Sequence, residues 1–100
     1  MATRRFYRRR FLNRRGFHAG AYVLADCRIV TERAAGTTVR EVDAELTIAD
    51  CSRVVSLDLS ALNEADARNA LHKARLLRAV VDEFTDAFTA AVTEVYPDLD

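Results

Sequence analysis

Residues 63–96 read NEADARNALHKARLLRAVVDEFTDAFTAAVTEVY. Within them Ala67, Ala70, Ala74, Leu77, Val81, Phe84, Phe88, Ala91 and Val95 recur at alternating steps of three and four, which is one face of a single long amphipathic helix. Asn63 offers an N-cap, Glu64 and Asp66 place negative charge in the first turn, and Glu64 with Arg68 makes a favourable i,i+4 pair. Pro97 cannot continue the helix and biases Tyr96 toward extended backbone. At 1.5 Å per residue the rod is about 48 Å long. A strand of ~8 to 12 residues spans only about 26 to 40 Å. The helix is therefore expected to overhang any sheet it covers. Ala67 to Leu77 should find cover within the chain, whereas Phe84, Phe88 and Val95 extend past it toward other aromatics or a second copy.

Working back from the helix, three stretches alternate with the period of a strand. Val23, Ala25, Cys27 and Ile29 point one way between Ala21 and Thr31; Val42, Ala44, Leu46 and Ile48 do so opposite Glu41, Asp43, Glu45 and Thr47; Val55, Leu57 and Leu59 close the set. A turn centred on Ala35-Gly36 sets Ile29 beside Val42, Cys27 beside Ala44 and Val23 beside Ile48. A turn centred on Cys51-Ser52 sets Ile48 beside Val55 and Leu46 beside Leu57. Both registers place every apolar set on one face, and a slip of one residue would reverse them all. The expected fold class is α+β: a three-stranded antiparallel meander with the helix packed across one face. An arginine-rich arm, residues 1–17, precedes a single β-β-β-α domain, residues 18–100.

Charge is unevenly distributed. Residues 1–25 contain Arg4, Arg5, Arg8, Arg9, Arg10, Arg14 and Arg15 and no acid, and the remainder holds eight basic groups against all fifteen acids. A chain of zero net charge is thus a +7 segment joined to a −7 body. Fourteen of its fifteen basic residues are arginine, a bias expected of a high-GC bacterial or phage genome. Phe6, Tyr7 and Phe11 interleave with the arginines. Guanidinium groups pair with phosphates and rings stack on bases, so these ten residues form a candidate nucleic-acid contact.

The same registers align Asp26, Glu45 and Asp58 in one row on the other sheet face, with Asp43 beside Arg28. Like charges side by side call for a counter-charge, which an arginine arm from this chain or a neighbour can supply. Along the helix, His72, Lys73, Arg75 and Arg78 precede Asp82, Glu83, Asp86 and Glu94, a polarity suited to antiparallel pairing in a homodimer. A protein interface made by Asp26, Glu45, Asp58, Phe84, Phe88 and Val95 is the alternative function to nucleic-acid binding.

The chain lacks the signatures of several other classes. No apolar run reaches the ~18 to 20 residues of a membrane span. Arg8 to Leu12 and Leu24-Ala25-Asp26-Cys27 imitate export motifs, but Arg14, Arg15 and His18 interrupt the apolar stretch that a leader needs, so a cytoplasmic location is expected. Two cysteines fit free thiols in a reducing compartment. The register separates Cys27 from Cys51 by about 26 Å of strand. It brings His18 toward Cys51, but that is a pair rather than a ligand set, so no metal is expected. Three glycines leave little for a phosphate cradle, and no nucleophile or acid–base motif is present; no enzyme activity, cofactor or small-molecule substrate is expected. Arm, meander and helix resemble double-stranded-RNA-binding domains in element order, and His72-Lys73-Ala74-Arg75 is similar to the basic start of that family's last helix. The family's glycine-proline-histidine loop is missing, and the helix here is about twice as long.

Overall fold

A computed structural model describes residues 1–99. Four strands precede one helix: β1 (Ala2–Phe11), β2 (Tyr22–Ala34), β3 (Thr37–Asp50), β4 (Arg53–Asp58) and α1 (Glu64–Val95). The strands form one antiparallel sheet in the order β1-β2-β3-β4. The α+β class therefore holds, with four strands where three were expected.

The β2–β3 and β3–β4 registers match the apolar pattern: Ile29 lies opposite Val42, Cys27 opposite Ala44, Ile48 opposite Val55 and Leu46 opposite Leu57. The β2–β3 hairpin turns on Ala35 and Gly36, whose φ values of 54° and 79° are the left-handed pair that matches strand twist. Past β4 the pairing continues through reciprocal backbone bonds between Val42 and Ala61, at 3.0 and 2.8 Å, and this delivers the chain to the helix.

The basic segment expected to be an arm is instead an edge strand. β1 pairs with β2 along its length, and a bulge at Arg5 shifts the register between Arg4 and Phe6. The bulge explains why period-2 alternation is not visible in the sequence. Before it Ala2 and Arg4, and after it Tyr7, Arg9 and Phe11, share the Asp26 face; Thr3, then Phe6, Arg8 and Arg10, share the opposite face with Cys27, Ala25 and Val23. All ten residues are exposed, so neither side required an apolar set. Charge along an exposed edge also discourages sheet-to-sheet aggregation. The likeness to double-stranded-RNA-binding domains required an arm followed by three strands, and this sheet removes it.

The helix follows its local signals. The Asn63 side chain accepts from the Asp66 amide at 2.9 Å, Glu64 and Arg68 approach to 3.8 Å, and the helix ends before Pro97. Its expected packing across the sheet is incomplete. No helix Cα lies within 8 Å of a strand Cα, and none of its residues is buried. Ala67, Ala70, Leu71 and Ala74 face Phe6, Ala25, Cys27, Val42 and Leu46 across an apolar groove of about 430 Å³. Small side chains on both walls leave that groove unfilled. Ala67, Ala70, Ala74 and Leu77 are half-buried, and from Arg78 to Ala91 every residue is exposed.

Buried positions are few and small: Ala21, Ala49, Ala61 and Thr47. The molecule measures 65 × 27 × 22 Å with a radius of gyration of 18.2 Å. A compact chain of this length would have about 13 Å.

Candidate functional site

Three surfaces combine residues that have chemistry to offer. The first is the polar face of the sheet. Asp26 lies opposite Glu45, and Glu45 opposite Asp58, which is the acidic row read from the sequence. The counter-charges come from this chain. Arg4 donates to Asp26 through Nε at 3.2 Å and Nη2 at 3.3 Å, and Arg28 donates through Nη2 at 3.1 Å. Asp26 is 14% exposed at its side chain, so two guanidinium groups meet a largely sequestered carboxylate. Arg4 reaches it because the bulge turns Arg4 to the same face, where it also lies 4.6 Å from the Tyr7 ring centroid.

The other two acids are held by hydroxyl and amide donors. Thr47 donates to Glu45 at 3.3 Å. Ser60 lowers the Asp58 carboxyl below its ordinary value through its hydroxyl and through its amide, which donates at 2.9 Å; Lys73 adds a smaller Coulombic pull, its Nζ donating to the Asp58 carbonyl at 3.1 Å.

The second surface is basic. Of the seven N-terminal arginines, only Arg4 forms an ion pair among the described residues. Arg5 sits at the bulge, Arg8 and Arg10 on the groove side, Arg9 on the Asp26 side, and Arg14 and Arg15 in the following loop. Several rings expected to stack on bases already carry arginine: Arg8 lies 5.3 Å from Phe6, and Arg9 lies 5.4 Å from Phe11 and 5.2 Å from Tyr22. Seven of the ten candidate residues are thus split between two sheet faces, with Arg5 at the bulge and Arg14 and Arg15 in the loop, rather than gathered on one arm.

The third surface is the outer half of α1. Val81, Phe84 and Phe88 are 50%, 65% and 57% exposed, and Leu76, Val80 and Val95 are exposed beside them. Phe84 and Phe88 stack with centroids 5.8 Å apart. Thr85, Thr89 and Thr93 return their hydroxyls to the carbonyls of Val81, Thr85 and Thr89 at 2.7, 2.7 and 2.9 Å. Their polar groups are satisfied within the helix, so this flank can be covered without an unpaired donor.

Sequence reasoning paired His18 with Cys51 but missed a third neighbour. His18, Asp50 and Cys51 gather their ligand atoms within 4.8 Å at the β3–β4 turn. The signal was Asp50 itself, the strand residue next to a turn already placed beside His18. Both cysteines are free, and no helix among the described residues is long and apolar enough to cross a membrane.

Together the fold and surfaces define a small α+β protein with a four-stranded antiparallel meander, a charged edge strand and an extended, largely uncovered helix. Compared with protein-family models, with curated proteins and with solved structures, the chain matches none.

Proposed function

We propose that this protein is a non-enzymatic interaction module that works as a homodimer joined through α1. The observation that carries the reading is surface area. A folded monomer of 11.2 kDa exposes about 5,700 Å², and this chain exposes 8519 Å². Covering the excess of roughly 2,800 Å² on each of two copies would bury about 5,600 Å² in all, at the upper end of obligate interfaces. An isolated helix of this apolarity gains little from intrahelical bonds alone and draws its stability from covering its stripe.

Charge selects the orientation. If two copies of α1 run antiparallel about an axis near Val81, Arg78 of each comes beside Glu83 of the other and Arg75 beside Asp86, while Phe88 approaches the small Ala74. Parallel pairing would instead set basic halves together and acidic halves together. The acidic row of the sheet is less suited to holding the copies together, because Arg4 and Arg28 already occupy Asp26.

Light scattering across protein concentration tests the reading: wild type should weigh twice the chain mass and Val81→Asp should weigh once. A wild-type monomer at every concentration and salt overturns it.

The basic strand favours a second role in the same module. Arg5, Arg8, Arg9 and Arg10 project from an exposed edge and have no acidic partner among the described residues, a disposition suited to nucleic-acid phosphates. Changing these four to glutamine should flatten the logarithmic salt dependence of binding by roughly 3 to 4. Equal slopes for the two proteins would remove the strand from the contact.

A further inference from the structure

We propose that His18, Asp50 and Cys51 form a surface site for a thiophilic divalent cation, with Zn²⁺ as the best fit. The three side chains come from two segments, the β1–β2 loop and the β3–β4 turn, and their ligand atoms converge within 4.8 Å. The decisive distance is between His18 and Cys51. Zinc–nitrogen bonds of about 2.05 Å and zinc–sulfur bonds of about 2.3 Å, opened at a tetrahedral angle, hold the two donors roughly 3.6 Å apart. Sγ stands 3.6 Å from His18 Nε2 and 3.8 Å from Nδ1, so the spacing to Nε2 suits a shared ion once the ring turns its in-plane lone pair toward it. The Asp50 carboxylate lies within 4.8 Å of both of these donors. Thiolate and carboxylate together cancel the ion's double charge, and exposure leaves the fourth position to water.

The backbone holds this geometry. The Cys51 amide donates to the Gly20 carbonyl at 3.1 Å, and the Leu12 amide to the Ala21 carbonyl at 2.8 Å, so both ends of the loop carrying His18 are tied to the sheet. Glycine suits the close approach at position 20: a Cβ there would lie 3.2 Å from the Cys51 Cα, and the turn would have to give slightly to admit it. The imidazole is held by the Gly20 amide, 3.3 Å from Nδ1, and by Asn13, whose side-chain nitrogen donates to the His18 carbonyl at 2.9 Å and lies 3.2 Å from Nε2. An ion on Nε2 would replace the Asn13 contact at that nitrogen and leave the ring proton on Nδ1, while Asn13 still holds the loop through the His18 carbonyl. Cys51 itself has φ 56°, a left-handed conformation in which glycine or asparagine is usual and a side chain costs about 1 to 2 kcal/mol. The residue that bears this strain is the one that supplies the thiol.

Titration of the full chain with Co²⁺, followed by the cobalt–thiolate charge-transfer absorption and by displacement with Zn²⁺, tests the site. One equivalent should bind and release the thiol proton. Cys51→Gly relieves the backbone strain, so it should keep the circular dichroism of the fold while losing the band. His18→Ala and Asp50→Asn should each weaken binding by about tenfold or more. Cys27→Ser and His72→Ala should change nothing. Absence of a thiolate band in the wild type overturns the proposal, as does a band that survives Cys51→Gly or an affinity indifferent to both His18→Ala and Asp50→Asn.

Discussion

The sheet and the outer half of the helix solve opposite problems. In the sheet, strand hydrogen bonds, the Arg4–Asp26–Arg28 cluster and the Thr47–Ser56 contact at 2.9 Å satisfy polar groups within one chain. Among the described residues no buried side-chain nitrogen or oxygen lacks a partner. Its core is nevertheless thin, and Ile48 and Val55 on the groove face remain exposed. In α1 the polar needs are met just as fully, by the Asn63 cap and by the threonine hydroxyls, but the apolar face is left open from Arg78 onward. Local hydrogen bonding and apolar burial are therefore separate requirements. Among the described residues every buried side-chain polar atom is paired, whereas apolar burial is complete in neither half.

The contrast is broken most severely by charge on the open stripe. Phe84→Asp should weaken self-association by a hundredfold or more, about 3 kcal/mol on the scale of a central interface anchor, measured by sedimentation equilibrium. Retention of wild-type affinity would show that the outer helix is not the joint. In the sheet the opposite change is the damaging one. Ala49 is 1% exposed between Tyr22 and Val54, so Ala49→Leu should cost about 1 to 3 kcal/mol by overpacking in denaturant titration. The same enlargement at exposed Ala87 should cost almost nothing.

Asp26→Ala leaves two guanidinium groups facing each other and should cost about 1 kcal/mol, since both arginines are substantially exposed. Ala35→Asn converts the β2–β3 turn to Asn-Gly and should stabilise the sheet by about 0.5 kcal/mol, read as a higher melting temperature. The smallest effect concerns pH. Asp58 has a lowered folded value, so its contribution to stability is present above the ordinary value of 3.8 and is lost as pH falls below that and through the folded value. Ser60→Ala should move this loss toward pH 3.8, which titration of the Asp58 carboxyl by NMR would detect.

Much of this was legible in the chain. Alternation in Val23 to Ile29, Val42 to Ile48 and Val55 to Leu59 determined two registers residue by residue, because the two turns fix the pairing and a slip of one residue would break up the shared apolar face. The Asn63 cap and Pro97 bracketed the helix, since capping and proline chemistry act over a few residues. β1 was hidden for two physical reasons. An edge strand with both faces exposed needs no alternation, and the bulge at Arg5 breaks whatever period remains. The overhang of α1 followed from lengths alone, but its separation from the sheet did not. That separation depends on how small side chains meet across the groove.

Sequence by itself thus determined the α+β order, the acidic row, the charge separation and the amphipathic stripe, because each arises from local periodicity or from pairing two strands about a known turn. Tertiary structure alone decided that the arginine segment is a strand, that Arg4 rather than a neighbour's arm answers Asp26, and that Asp50 joins His18 and Cys51. Each of those depends on where segments distant in sequence come to lie, and residue spacing within one segment carries no record of it.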